Sequence, residues 1–370
     1  MLNEAPLLES WYREHLDFSD YDISSSGVQP YSFKEIRQIT GITTQDLDEI
    51  LIDDGTSFGS PDLRLAIAER YLDGSSDDVM VTHGSSEAIS LVLATLCEPG
   101  PRVVVTDPVY HSLVNFPLRN GCDVQRLPVS LIENGAFADQ IREIITPDTG
   151  VVIVNLPNNP TGTSLSTEGF DELIKTVADV GAYLVCDDAF SEITHSGATL
   201  PNARFRYERA ITFGTFSKVF GLPGLRVGWC TADPSLLHRT LPIKDSTTLF
   251  LSPLIEKIAT VAMRSADSLI APRREQAAEN LRFLDRWIAE HEEHVFWRRP
   301  DGGVCGLLSI RGLTETKQFC LDLLRTHRTM LVPGEAFDRP GHVRLGFGGN
   351  STAFRAGLSR LSIYLRRCRS

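Results

Sequence analysis

An α/β architecture, with a mainly parallel sheet in a large domain and a smaller α+β domain beside it, is what this sequence predicts. Three observations carry that expectation. Short apolar runs alternate with helical stretches between residues 79 and 230, the pattern of a parallel sheet with both faces covered. Clusters of Ser, Thr, Asn, Asp and Gly follow directly on those runs, at the edge where α/β sheets bind ligands. Beyond about residue 250 the alternation gives way to long helical stretches with a few strands. The expected division is 36–265 for the large domain, with 1–35 and 266–370 forming the small one.

Composition narrows the function classes. The chain has 370 residues and 42% hydrophobic content, enough for a large core and too long for one ordinary domain. Thirty-six basic against 48 acidic residues leave a formal charge of −12. That balance argues against nucleic-acid or anionic-membrane partners and is compatible with a cationic substrate. None of the seven cysteines, Cys97, Cys122, Cys186, Cys230, Cys305, Cys320 and Cys368, forms a CxxC pair, so all are expected reduced, as in a cytoplasmic protein. The first residues, MLNEAPLLESWYREH, carry acids and no apolar core, so no signal peptide is expected. No apolar run approaches membrane-spanning length.

In chain order, residues 7–16 hold an amphipathic pattern that includes Leu8, Trp11 and Tyr12, and residues 24–28 (SSSGV) read as a turn. Pro61 and Asp62 mark a helix start. A strand at 79–82 runs into His83-Gly84-Ser85-Ser86 and a helix. A small-residue loop opening a helix can hold an anion, or Ser can simply cap the helix. Strands at 102–106, 151–155, 182–186 and 210–213 lead respectively into Tyr110, Asn159, Asp187 and Lys218, and another strand is expected at 225–230. Residues 252–290 read as helical, with Pro272 as a break or a new start. Strands at 304–310 and 343–347, the latter with Arg344, and helices at 314–324 and 351–366 complete the small domain.

Residues 211–229, ITFGTFSKVFGLPGLRVGW, organise the rest. Lys218 follows a buried strand and is flanked by hydroxyl residues, where desolvation would lower its pKa and make it a Schiff-base nucleophile. A surface lysine beside a loop is the other reading of this segment alone. Thr215, Ser217 and Arg226 supply two hydroxyls and a guanidinium fork, the groups that hold a phosphate.

The segment resembles the lysine region of fold-type I pyridoxal-phosphate enzymes, the aspartate aminotransferase superfamily. The resemblance extends over essentially the whole chain and implies an aspartate-aminotransferase-like fold with pyridoxal 5'-phosphate as cofactor. It implies Lys218 as the Schiff-base lysine and Asp187, in D-x-A-Y position, as the partner of the pyridinium nitrogen. Tyr110 would stack on the ring, and Asn159, in NPTG, would bond its phenolic oxygen. Ser85, Ser86, Thr215, Ser217 and Arg226 would cradle the phosphate, Arg344 would grip the substrate carboxylate, and the loop around Gly27 would approach the substrate. No metal is implied. A homodimer with the site at its interface is implied as well.

Two positions depart from that pattern. Asp54 stands where many members place a tyrosine that reaches the partner's cofactor phosphate, and an acid there would repel phosphate. Phe190 replaces the D-x-A-Y tyrosine. The cofactor's phenolic oxygen thereby loses a hydroxyl partner, which should raise the Schiff-base pKa.

A finer resemblance lies in residues 24–33, 82–88, 108–113 and 213–218, which are similar to the capreomycidine synthases and the related cyclase of streptothricin biosynthesis. It implies conversion of 3-hydroxy- or 3,4-dihydroxyarginine to a cyclic amino acid, by loss of water and intramolecular guanidine addition, in antibiotic biosynthesis. Asp54 and Asp188 are then expected to hold the guanidinium, and His83 or His111 to help the hydroxyl leave. An ordinary aminotransferase acting on an arginine-like amino acid is the alternative. A cofactor-binding transcriptional regulator would need an added DNA-binding domain, where only a short acidic segment precedes the enzyme-like region.

Overall fold

Seven strands form the central sheet in the computed structural model, which describes residues 5–97, 101–133 and 137–367. In spatial order they are Val79–Thr82, Gly228–Thr231, Ala210–Thr215, Tyr183–Asp187, Thr149–Asn155, Arg102–Asp107 and Asp123–Pro128. Gly228–Thr231 runs antiparallel to both its neighbours, and the other pairings are parallel.

The β-branched runs explain the sheet. Successive strand residues point to opposite faces, and both faces are covered. Val103, Val105, Val151 and Ile153 pack on one side with Ala88, Ile89 and Val92 of the helix Ser85–Leu96. Val104, Val152 and Val154 pack on the other with Phe170, Leu173 and Val177 of the helix Thr167–Asp179. The C-terminal ends of the parallel strands converge on one edge, which places Asn155, Asp187 and Thr215 together.

A second, antiparallel sheet has the order Val332–Pro333, His342–Gly346, Cys305–Ile310 and Val295–Trp297. Beside it the short strand Tyr21–Asp22 pairs in parallel with Thr329–Met330. The N-terminal helix Leu7–His15 buries Leu8 and Trp11, and the indole N–H of Trp11 donates to the Leu331 carbonyl at 2.9 Å.

Two expectations need correction, and one strand lies where none is expected. The strand expected at 225–230 begins at Gly228, because Pro223–Leu225 forms a 3-10 turn and Arg226 adopts a left-handed φ of 53°. Pro272 lies inside the helix Ala266–Glu290, and the break falls at Ser265, after Pro253–Arg264. Burial of Leu269, Ile270 and Ala277 along that helix offsets the hydrogen bond that Pro272 removes. The edge strand Asp123–Pro128 was not anticipated, since Asp123, Gln125 and Arg126 interrupt its apolar pattern and it is only partly buried.

Cys97, Cys122, Cys186, Cys230, Cys305 and Cys320 are free and buried, and Cys368 lies outside the described residues. Among the described residues no helix is long and apolar enough to cross a membrane, and no cluster of side chains could hold a metal ion.

Candidate active site

One cavity of about 440 Å³ gathers most of the residues singled out above. Ser85, Ser86, Tyr110, Asn159, Asp187, Thr215, Ser217, Lys218 and Arg226 all line it, with Glu9, His111, Asn155, Ala189 and Phe190.

Lys218 follows the strand Ala210–Thr215, and its Nζ donates to Ser26 Oγ at 3.0 Å. Burial pulls its pKa down to about 8, with the nearby Arg344 charge acting in the same direction. A buried amine of this kind has a far larger neutral, nucleophilic fraction near neutral pH than an ordinary lysine, and becomes mostly neutral above about pH 8. Its Nζ lies 5.8 Å from the centroid of the Phe190 ring.

Asp187 ends its strand and is almost fully buried. Burial pushes its carboxyl up to about 6, opposed by the Ala189 backbone N–H, which donates to it at 3.2 Å, and by the charge of Lys218. Asn155 fixes the surroundings: its side chain donates to the Asp187 carbonyl at 3.0 Å and accepts from the Asn159 backbone N–H at 2.6 Å.

The anion cradle has its own geometry. Ser85 and Ser86 open the helix Ser85–Leu96, whose free N–H groups and dipole favour negative charge. Gly84, at φ 74°, lets the Arg226 guanidinium approach, since a Cβ there would meet Nη2 at 2.6 Å. A Cβ at Gly228 would sit 2.4 Å from the Ser85 nitrogen. Arg226 donates to Ser217 Oγ at 3.1 Å, and Thr215 Oγ1 accepts from the Ser217 N–H at 3.1 Å. The left-handed backbone of Arg226 is an unfavourable conformation for a side-chain-bearing residue, of the sort concentrated at ligand sites.

Arg344 is only 1% exposed. Its Nε donates to the Ser24 carbonyl at 3.0 Å, Nη1 to Asn159 Oδ1 at 3.2 Å, and Nη2 to the Tyr12 hydroxyl at 2.8 Å. A guanidinium has five N–H groups. Three are committed here, leaving one on each terminal nitrogen, and Arg344 lies next to the Lys218 cavity, through Asn159, rather than among its lining residues. Because Asn159 Oδ1 faces Arg344, its NH₂ remains to donate elsewhere.

The other expected residues are distributed differently. Gly27 is next to Ser26 and does not line the cavity; a Cβ on it would lie 3.7 Å from the Ser217 carbonyl. His83 is outside the cavity as well, 3.2 Å from Glu87. His111 lines it. Asp54 is exposed on a stretch with Leu51 and Ile52. Asp188 lines separate cavities with Tyr71, Ser191 and Asn202, where burial and the charge of Asp187 push its carboxyl well up. Neither acid lines the cavity of Lys218.

Sequence reasoning did not anticipate Glu9, Tyr12, Ser26 or Asn155 as parts of the site. Asn155, at a strand end four residues before Asn159, could have been noticed. Ser26 belongs to the 24–28 loop already expected near the substrate, and Glu9 and Tyr12 carry no local signal.

The Aminotransferase class I and II family matches residues 54–361. The chain belongs to that family. Capreomycidine synthase of Streptomyces vinaceus is 39% identical over 366 residues, covering 98% of this chain and 93% of that protein. A crystal structure of the PLP-dependent cyclase OrfR superposes with a TM-score of 0.94 at 48% identity, covering 100% of this chain and 98% of that one. Arginine–pyruvate transaminase AruH of Pseudomonas aeruginosa is 27% identical over 322 residues, covering 82% of this chain and 80% of that protein. Structures of Thermus thermophilus aspartate aminotransferase, at 20% identity, share the fold.

Membership in the aminotransferase class I and II family implies pyridoxal 5'-phosphate as cofactor, and the residues present fit it. The cavity offers a buried amine of lowered pKa, a buried carboxylate, a helix N-terminus with hydroxyls and a guanidinium, and room for the ring.

Proposed function

We propose that this enzyme converts a β-hydroxylated arginine to a cyclic guanidino amino acid by eliminating water and adding the substrate's own guanidine to Cβ. The observation that carries this reading is the similarity to capreomycidine synthase and to OrfR across nearly the whole chain. Fold alone would not select the reaction.

Pyridoxal phosphate, when bound, would make the substrate Cα proton acidic and so allow a β-substituent to leave. The chain's own residues supply everything else. Ser85, Ser86, Thr215, Ser217 and Arg226 would hold the phosphate, Asp187 would pair with the ring nitrogen, Tyr110 would pack against the ring, and the Asn159 NH₂ would serve the phenolic oxygen. Arg344 holds the α-carboxylate with its two uncommitted N–H groups, which disfavours decarboxylation. With its lowered pKa, Lys218 would hold the cofactor covalently, take up the Cα proton and give it back to Cα after ring closure. Holding nucleophile and acceptor in one molecule makes the closure effectively unimolecular, an advantage that can reach several kcal/mol.

A homodimer is part of this reading. Leu51 and Ile52 are 79% and 74% exposed in the protomer, and a second copy would cover them. Asp54 stands beside them and would reach the partner's cavity.

The test is mass spectrometry of the cofactor-loaded protein with 3-hydroxyarginine and with 3,4-dihydroxyarginine, without keto acid. A product lighter by one water, the cofactor remaining in its aldehyde form, is expected. Turnover only after a keto acid is added would replace the cyclase with an aminotransferase.

A further inference from the structure

The cavity of Lys218 is lined by two carboxylates, Asp187 and Glu9. Asp187 is matched to the cofactor ring, Arg226 to the phosphate and Arg344 to the substrate carboxylate. A guanidino amino acid then brings one more charge, a cation at the end of its side chain. Glu9 is the one lining charge with nothing assigned to it.

We propose that Glu9 binds the substrate guanidinium, positioned for it by His111 and Tyr110. This rests on the reading of an arginine-like substrate given above. Glu9 lies on the helix Leu7–His15, whose buried Leu8 and Trp11 hold it against the body of the protein. His111 Nε2 is 3.0 Å from Glu9 Oε1, and the Tyr110 hydroxyl donates to the same oxygen at 3.2 Å. Oε2 makes no hydrogen bond among the described residues. One oxygen is thus used for orientation and the other is available to a ligand. The contact with His111 holds the carboxyl below its ordinary value, so it is anionic at neutral pH.

Depth also fits. Arg344 is buried, the charges of Arg344 and Glu9 are both felt by Lys218, and the Glu9 side chain is 48% exposed. An amino acid held by its carboxylate at Arg344 would extend its side chain outward, toward Glu9. A carboxylate with one fixed oxygen can take a guanidinium N–H in a charge-assisted bond that a neutral ureido group does not match. Asp188, one of the acids expected in this role, lines other cavities, and Asp54, the other, is exposed and does not line the Lys218 cavity of its own protomer.

L-arginine and L-citrulline test the assignment, because they are nearly isosteric and only one is charged. Neither has a β-hydroxyl to lose. Binding to the loaded enzyme is followed by the change in cofactor absorbance, with thermal unfolding as the control for folding. Wild type should prefer arginine by roughly tenfold or more, the scale of one charge-assisted hydrogen bond. Glu9→Gln should reduce that preference to within about threefold while leaving citrulline binding unchanged, and Glu9→Asp should keep part of it. His111→Gln should lower arginine binding selectively, by a smaller factor. A wild type without preference, a Glu9→Gln variant that keeps it, or an equal loss for both ligands would each overturn the proposal. A Glu9-dependent preference in an enzyme that releases no water from β-hydroxyarginines would retain this assignment and discard the cyclase. Cyclisation with a preference indifferent to Glu9 would do the reverse.

Discussion

The Tyr12 hydroxyl accepts a hydrogen bond from Arg344 Nη2 at 2.8 Å, although 332 residues separate the two in sequence. The direction of every bond around it is determined. Ser24 Oγ donates to the Asp22 carboxylate at 2.6 Å, so it accepts from Tyr12 at 2.9 Å, and Tyr12 is left to accept from Arg344. Burial pushes the Tyr12 phenol up to about 12, which keeps its proton in place for this relay. Tyr12→Phe removes one oriented partner of the guanidinium. About 1 kcal/mol is at stake, so KM for the amino acid should rise roughly fivefold with a smaller change in kcat. Steady-state kinetics of the variant check this, and a change in kcat alone would speak against it.

Asp187 opposes stability in the cofactor-free protein. Its folded-state pKa is raised from 3.8 to about 6 by burial, so the folded chain binds the proton more tightly than the unfolded chain. The contribution of this group is most favourable below about pH 4 and declines as pH rises through 6. Asp187→Asn should remove that decline and stabilise the cofactor-free protein at pH 7 by on the order of 1–3 kcal/mol, relieving Asp188 as well. Cofactor binding should weaken in the same variant. Unfolding temperatures of both proteins between pH 4 and 8 test the sign.

Gly228→Ala probes the phosphate cradle without removing a polar side chain. The added methyl would meet the Ser85 nitrogen and the Gly84 carbonyl carbon at 2.4 and 2.5 Å, both of them backbone atoms that cannot swing aside. Overpacking of this kind costs about 1–3 kcal/mol, so the cofactor Kd should rise roughly tenfold or more. Equilibrium dialysis of the cofactor measures it. An unchanged Kd would mean that phosphate does not sit at this helix N-terminus.

Phe190 lines the cavity, with its ring facing Lys218. Phe190→Tyr offers a hydroxyl to the cofactor's phenolic oxygen, stabilising its anionic form. The absorbance titration of the loaded enzyme should therefore move to lower pH. A titration that stays in place would show that the new hydroxyl does not reach the cofactor.

Cofactor loading should itself depend on pH. With the Lys218 pKa brought down to about 8 by burial, the neutral amine gains population as pH rises through 8. The rate at which the cofactor-free protein takes up pyridoxal phosphate should climb between pH 7 and 9 and level off above. An ordinary lysine would keep climbing well beyond that range.

Much of this protein was legible because its information is local. Val103 to Val105 and Val151 to Val154 are continuous apolar runs, and period-two geometry sends their side chains into two cores. Each run ends in polar residues, so Asp187, Asn159, Lys218 and the Ser85–Ser86 pair could be read as strand-end groups before any coordinates were known. The edge strand Asp123–Pro128 and the register of Gly228–Thr231 were harder. The first lacks an apolar run, and the start of the second is decided by the left-handed turn at Arg226.

The sequence by itself determined the buried parallel strands, the motifs at their ends and, through them, the cofactor chemistry. Only the tertiary structure decided what surrounds the substrate. Glu9 on Tyr110 and His111, Tyr12 on Arg344 and Ser26 on Lys218 meet across 101 to 332 residues. No periodicity relates such residues. Their meeting depends on where burial of Leu8 and Trp11 docks the N-terminal helix, and docking is the sum of many weak, non-directional apolar contacts that no short stretch of sequence encodes.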